Sequence, residues 1–313
     1  MNKKQLFSTL TAACLLASPL FGNSILDQKG PGGHSITGFD RESKVSIGGY
    51  FDTEFFYDKE QLQIDNHRFI LETAAQLHPN ILFNTEFEIE HGGTEYKIEQ
   101  AWVDYKLSDA LISRTGLIVV PFGRINTLHD SDVRDTTNRP LYAKKIVPST
   151  WCDTGTGIRG SVDLNDNLEV NYDLFLVNGL LVHDRVEGKE EDDYKINSKD
   201  GIRKARSKFK KTNGRYDNNK NKAITGRFSV SPMLGLEVAS SFYTGKYDDA
   251  NEHSLNMIGF DGYYKTGPFE LVGEYAHVDA KSLRKMYGYY VEGHYHFSPS
   301  FIKQSIVGRL FKN

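Results

Sequence analysis

The sequence has very few cysteines. Only Cys14 and Cys152 occur among 313 residues, and Cys14 lies in an N-terminal stretch that we expect to be removed. A single remaining cysteine forms neither an internal disulfide nor a cysteine metal cluster. A protein of this size without disulfides needs another source of rigidity if it is exported, which its N-terminal residues indicate. A closed, hydrogen-bonded β-barrel supplies it, because no strand edge is left unpaired.

Long apolar runs are also missing. The mean hydropathy is −0.49, and the apolar run over residues 6–20 is too short for a spanning helix. This composition excludes a bundle of membrane helices. Lys3 and Lys4 precede the apolar run, and a small-x-small pattern ends at Ser24, as in a secretory signal peptide. We predict a signal peptide over residues 1–24; a buried N-terminal helix or a lipoprotein signal at Cys14 are the alternatives.

Catalytic and cofactor motifs are absent from the sequence. It contains no G-x-S-x-G, no H-E-x-x-H and no phosphate-binding loop. The adjacent His129 and Asp130 have neither a second histidine nor a nucleophile motif nearby. His294 and His296 share a strand face but need a third ligand to hold a metal. We therefore predict no enzyme activity, no cofactor and no metal site.

Alternation of apolar and polar residues with a period of two begins after residues 25–43, a stretch rich in Gly, Asp and Ser that we interpret as a periplasmic lead-in. Such alternation predicts β-strands with two different faces. Twelve strand-like runs follow, the first starting at Lys44 and the others over residues 63–77, 81–90, 96–107, 111–120, 155–164, 168–178, 223–231, 234–246, 254–265, 269–279 and 286–297.

The length and connection of these runs are typical of outer-membrane barrels. Tilted membrane strands need about ten residues, and short turns here alternate with longer connections. Two connections are very long: residues 121–154 and residues 179–222. Bacterial barrels place short turns in the periplasm and long loops outside. A soluble β-sandwich or solenoid is the alternative that shares the same alternation.

A family resemblance rests on a motif at the end of the fifth run. The motif reads Gly116-x-x-x-Val120-Pro121-Phe122-Gly123-Arg124-x-Asn126-x-x-His129-Asp130, and Thr137-x-Arg139-Pro140-Leu141 continues it. On these residues the sequence resembles the phosphate-selective porin O and P-like superfamily, in particular an uncharacterised branch. The resemblance covers roughly residues 44–297. It implies a barrel of about sixteen strands, a loop folded into the lumen, passive diffusion of small hydrophilic solutes, often anions, and a homotrimer.

The expected fold is thus all-β: a transmembrane antiparallel β-barrel over residues 44–313, of which about 12–14 strands are visible. Residues 121–154 are expected to fold inward and residues 179–222 to form a charged external loop. The chain ends Leu310-Phe311-Lys312-Asn313, not on the aromatic residue usual for such barrels. This ending leads us to expect a truncated C-terminus.

Charged residues of the inward loop and of the polar strand faces are the candidate pore residues. Opposed rows of cations and carboxylates create a transverse field that sets selectivity; salt bridges that merely fix the loop are the alternative. The candidates for pore constriction and lining are Arg68, Glu72, Glu86, Glu88, Asp104, Arg124, His129, Asp130, Arg134, Arg139, Lys144, Lys145 and Arg159. With so many acidic candidates, specificity for phosphate is not supported.

The sequence therefore predicts a diffusion channel in the Gram-negative outer membrane. Expected partners are outer-membrane lipid, lipopolysaccharide (which the basic residues 203–222 would meet), the barrel-assembly machinery and small hydrophilic solutes. A nucleic-acid partner is not expected, because this basic stretch has few aromatic residues and lies in an exported chain. A non-conducting structural or adhesin barrel is the competing interpretation, and an outer-membrane hydrolase is a third.

Overall fold

The computed structural model describes residues 45–57, 61–165, 168–181, 202, 219–281 and 285–297. These residues form one twelve-stranded antiparallel sheet in which each strand pairs with its neighbours in chain order. The strands are β1 (Val45–Tyr57), β2 (Leu62–His78), β3 (Ile81–Glu90), β4 (Glu95–Ser108), β5 (Leu111–Val119), β6 (Cys152–Asn165), β7 (Leu168–Val177), β8 (Ala223–Met233), β9 (Leu236–Lys246), β10 (Ser254–Thr266), β11 (Phe269–Ala280) and β12 (Met286–Tyr295).

The predicted all-β fold and all twelve predicted runs are confirmed. One turn was placed wrongly: the predicted runs 223–231 and 234–246 leave Pro232-Met233 between them as the turn, whereas both residues belong to β8. The turn lies instead at Leu234-Gly235, where Gly235 has a positive φ of 84°. Only glycine adopts that conformation without cost. A register irregularity between Val230 and Met233 lets β8 run on past the proline.

The sheet has a polar inner face and an apolar outer face. In β3 the even-numbered residues are buried, among them Asn84, Glu86 and Glu88, while the odd-numbered residues, such as Phe83 and Phe87, are more exposed. The other strands repeat this arrangement, and their exposed large side chains are mainly Leu, Ile, Val, Phe and Tyr. A water-soluble sheet buries the opposite face. The alternation therefore fits a wall whose outer face contacts lipid.

The two ends of the barrel wall differ in the length of their connections. At one end, short turns join β2 to β3, β4 to β5, β6 to β7, β8 to β9 and β10 to β11. At the other end the connections are mostly longer, and the longest described one runs from Val120 to Trp151. This asymmetry matches the periplasmic and external ends of bacterial barrels.

Helix is scarce in the described residues. Two short helices, α1 (Arg124–Thr127) and α2 (Leu141–Lys145), lie between β5 and β6, and one 3-10 turn, His91–Gly93, joins β3 to β4. Within these described ranges, no helix is long and apolar enough to cross a membrane.

Several predicted segments fall outside the described residues. They are the signal peptide (1–24), the lead-in (25–43), most of the charged external loop (182–201 and 203–218) and the C-terminal stretch (298–313). In the described part of the chain, β1 and β12 pair with β2 and β11 respectively and not with each other.

Candidate functional site

The segment between β5 and β6, residues 120–151, lies against the polar face of the wall; we call it the inner loop. Its two ends are joined by one side chain. Asn126 donates from Nδ2 to the carbonyl oxygens of Val120 (2.8 Å) and Trp151 (3.2 Å), and its Oδ1 accepts from the Trp151 amide (2.8 Å). The Val120 amide also donates to the Trp151 carbonyl (2.9 Å). Asn126 is fully buried, so this junction closes the base of the inner loop.

The beginning of the inner loop is bound by strands late in the chain. The Gly123 amide donates to Ser241 Oγ of β9 (3.0 Å), and the Ile125 amide donates to the Glu274 carboxylate of β11. Tyr290 of β12 donates to the same carboxylate (2.9 Å). Gly123 has φ 71°, and a Cβ at this position would lie 2.5 Å from Glu274 Oε2. A glycine is therefore required at this contact.

The middle of the inner loop is bound by strands early in the chain. Asp130 Oδ1 accepts hydrogen bonds from Arg68 Nη1 of β2 (3.3 Å) and from the Tyr50 hydroxyl of β1 (3.2 Å). Ser131 donates to Asp52, also on β1. A few residues on, Asp135 pairs with His294 of β12. Because one short segment contacts both terminal strands of the sheet, the wall must curl around it.

Two buried arginines of the wall form ion pairs on the inner face. Arg114 binds Asp104 with two parallel hydrogen bonds of 2.6 and 2.7 Å and stacks 3.4 Å from the centre of the Trp102 ring. Arg227 binds Asp261 (2.5 Å) and Glu237 (2.8 Å). Bidentate, charge-assisted pairs of this kind are strong and geometrically specific. The first pair binds Asp104, which the sequence analysis proposed as a pore-lining charge; Asp261 and Glu237 were not among the predicted residues.

The structure brings four of the predicted site residues into one cluster. Arg68 pairs with Glu88 (2.8 Å) and with Asp130, and His129 Nε2 lies 3.2 Å from Glu99 of β4. Glu72 and Glu86 are buried on the same face, and Glu86 accepts from Gln100 Nε2 (2.7 Å).

The remaining predicted site residues lie elsewhere. Arg124 is 3.5 Å from Glu237 and 4.3 Å from the centre of the Tyr263 ring. Arg159 pairs with Asp173 (3.5 Å). Lys144 and Lys145, in α2, are exposed. The predicted set is thus distributed over several parts of the inner face.

Arg134 and Arg139 differ from the wall arginines, because their hydrogen bonds go to backbone carbonyls. Arg134 donates to the carbonyls of Asp130 (3.2 Å) and Thr137 (2.9 Å), and Arg139 donates twice to that of His129 (3.3 and 3.0 Å). Burial and the positive charges of Arg134 and Arg68 lower the pKa of Arg139 to about 10. Burial likewise lowers the pKa of Arg134. Arginine stays cationic in proteins, and among the described residues no carboxylate binds directly to Arg134 or Arg139.

Glu99 is the site residue that sequence reasoning missed. Strict alternation in the fourth run groups Glu99 with Ala101 and Val103, on the lipid side. The pairing of β3 with β4 shifts register at this point: Glu86 faces Gln100, and Phe87 faces Ile98. This β-bulge turns Glu99 inward, where it is buried. The sequence did contain one indication of the bulge: strict alternation would place the Glu99 carboxylate on an otherwise apolar face.

Known proteins with similar sequences indicate the family to which this chain belongs. The model of the family "Phosphate-selective porin O and P" matches residues 49–303. An uncharacterised protein of Aquifex aeolicus (strain VF5) is 29% identical over 255 residues, which cover 76% of this chain and 54% of the relative. The chain thus spans about half the length of that curated relative.

Several solved outer-membrane proteins are similar in structure at low identity. A loop-deletion mutant of OmpT, an outer membrane protein of Vibrio cholerae, aligns over 82% of this chain and 90% of its own, with a TM-score of 0.38 and 12% identity. OccK5 (OpdH) of Pseudomonas aeruginosa aligns over 83% and 79%, with a TM-score of 0.37 and 10% identity. The family match, which covers most of the chain, carries the assignment. The chain belongs to the phosphate-selective porin O and P family and is an outer-membrane β-barrel.

Proposed function

We propose that this barrel is a porin through which small hydrophilic solutes diffuse passively, past a constriction formed by the inner loop. One observation carries the proposal: residues 120–151 are held on the polar inner face by strands from both ends of the sheet, while the outer face is apolar. A polar interior enclosed by a lipid-facing wall supplies a path for hydrated solutes. The inner loop would narrow that path.

Charge on the inner loop favours the passage of anions. Most described carboxylates of the wall have a cationic or hydrogen-bonding partner, as at Asp104 and Asp261. Arg134 and Arg139 instead donate to carbonyls, which leaves their positive charge to act on mobile ions. Fixed charges at a constriction set the selectivity of a pore. We do not extend this preference to phosphate in particular, since the inner face also carries many buried carboxylates, among them Glu72, Glu86 and Glu88.

Export and assembly belong to the same proposal. Residues 1–24 would direct the chain across the inner membrane as a signal peptide, and the barrel-assembly machinery would insert it in the Gram-negative outer membrane. The basic residues within 203–222 would meet anionic lipopolysaccharide. Association as a homotrimer is proposed from the family alone.

Recordings from purified, folded protein in planar lipid bilayers test the function. We expect discrete ion-conducting steps. Protein that inserts and shows no steps would instead support the non-conducting structural barrel. Turnover of lipid or peptide substrates by the same preparation would support the hydrolase interpretation.

The double variant Arg134→Gln/Arg139→Gln tests the charge preference. In a salt gradient we expect its reversal potential to shift towards cation preference, because two cations leave the constriction. Lys106→Gln is the control: it removes one positive charge beside the short turn at Asp109 and should leave the reversal potential unchanged. Equal shifts per charge removed in the two variants would show that overall charge, not the inner loop, sets selectivity.

A further inference from the structure

A buried group of three possible metal ligands joins the inner loop to the wall. His129 and Asp130 of the inner loop and Glu99 of β4 each offer one ligand atom, and these three atoms lie within 4.8 Å of one another. All three residues are buried. His129 Nε2 lies 3.2 Å from Glu99 Oε1 and 3.8 Å from Asp130 Oδ1. The three side chains thus converge on one point between loop and strand.

The hydrogen bonding of His129 fixes which ring nitrogen faces that point. His129 Nδ1 lies 2.6 Å from the backbone carbonyl of Asn126. A carbonyl only accepts, so Nδ1 carries a proton. In the neutral ring Nε2 therefore presents a lone pair to two carboxylates. Metal-ligating histidines have this same arrangement, in which the second nitrogen donates to a carbonyl or carboxylate.

Three electron-rich groups facing one another need a positive charge between them. A proton on His129 Nε2 is one candidate, since the protonated nitrogen would donate a hydrogen bond to Glu99. However, Nε2 is buried without an aligned hydrogen-bond partner, and Glu99 Oε2, which also lacks a hydrogen bond, has Lys97 Nζ at 3.6 Å. Buried polar atoms rarely stay without one. A cation that accepts lone pairs from both groups satisfies them together.

The surroundings of the site are strongly charged. Glu99 and Asp130 are linked through Lys97 and Arg68 to the carboxylates of Glu88 and Glu90. The cationic Arg134 and Arg139 lie beside them, on the backbone carbonyls of Asp130 and His129. The two carboxylates that face His129 supply the negative charge that a bound metal cation needs.

We propose that Glu99, His129 and Asp130 form a binding site for a divalent transition-metal cation of the Zn²⁺ type. One imidazole nitrogen with two carboxylate oxygens suits Zn²⁺ and its neighbours, whereas an oxygen-only set would suit Mg²⁺ or Ca²⁺. Because Glu99 belongs to the wall and the other two residues to the inner loop, the bound cation crosslinks loop and wall. The site does not depend on whether the lumen conducts.

Isothermal titration calorimetry tests the site, with Zn²⁺ added to tag-free, chelator-treated protein folded in detergent. We expect one Zn²⁺ per chain with a dissociation constant in the micromolar range or below. His129→Gln and Glu99→Gln should each weaken binding about 100-fold or more, since loss of a second-sphere partner alone costs about 10–100-fold. Mg²⁺ should bind far more weakly.

His294→Gln is the matched control. His294 lies in the more exposed group with Asp135 and Glu270, and its loss should leave the strong site unchanged. Circular dichroism checks that each variant keeps its strands. Visible absorption of bound Co²⁺ supplies a spectroscopic signal that should vanish in His129→Gln. Absence of stoichiometric Zn²⁺ binding, or binding that survives both His129→Gln and Glu99→Gln, would overturn the proposal.

Discussion

Deletion of residues 124–145 is expected to raise the single-channel conductance severalfold. This stretch contains α1, α2 and the side chains that reach β2, β4 and β12 from within the barrel. Its removal leaves residues 120–123 and 146–151 to close the connection between β5 and β6. The inner face of the wall is lined by polar groups, so water and ions should fill the space released.

Bilayer recordings of the deletion variant and the full chain in the same salt give the comparison. A variant that keeps the full length, Arg124→Gln/Arg134→Gln, is the control: it changes charge without shortening the inner loop and should change conductance far less. Unchanged conductance in a deletion variant with normal strand content would show that the inner loop does not constrict the path.

Substitution of Arg114 by Met should lower the free energy of unfolding by about 3–5 kcal/mol, the usual cost of removing one partner from a buried ion pair. Arg114 is buried and makes both of its short hydrogen bonds to Asp104. Its loss leaves a buried carboxylate without a counterion. It also removes the guanidinium that stacks on Trp102.

Denaturant unfolding of the barrel in lipid vesicles measures this cost. Lys106→Met is the matched control, because Lys106 pairs with an Asp109 side chain that is 86% exposed; exposed pairs contribute at most about 1 kcal/mol. The double variant Arg114→Met/Asp104→Leu should recover part of the loss, since it removes both charges. Equal small effects for Arg114→Met and Lys106→Met would contradict a buried pair on the inner face.

The strands could be predicted from the sequence because the two faces of this wall meet different surroundings. Apolar and polar residues alternate in residues 81–90, so only one orientation of this strand places the apolar side chains against lipid and the polar ones inward. β3 has this orientation. The motif around Phe122 and Gly123 also indicated the family. Both signals are local in the sequence, so they could be found without the fold.

Side-chain partners over long sequence separations could not be predicted. Glu274 binds the amide of Ile125 at a separation of 149 residues. The sequence near either residue contains no pattern that predicts this contact. Glu99 was missed for a different reason: a single-residue bulge reverses the alternation, and alternation alone cannot locate a bulge. The charged residues of the inner loop were recognised as a set, but their partners depend on how the wall curls.

Quenching of tryptophan fluorescence by lipids with brominated acyl chains tests the central claim, that the apolar face contacts lipid and the polar face does not. The chain has two tryptophans, and both Trp102 and Trp151 are buried inside the wall. Their emission should resist brominated lipid, whereas the additional emission of a Phe242→Trp variant, on the outer face of β9, should be strongly quenched. Strong quenching of Trp102 and Trp151, with none at position 242, would show that the faces of the sheet are reversed.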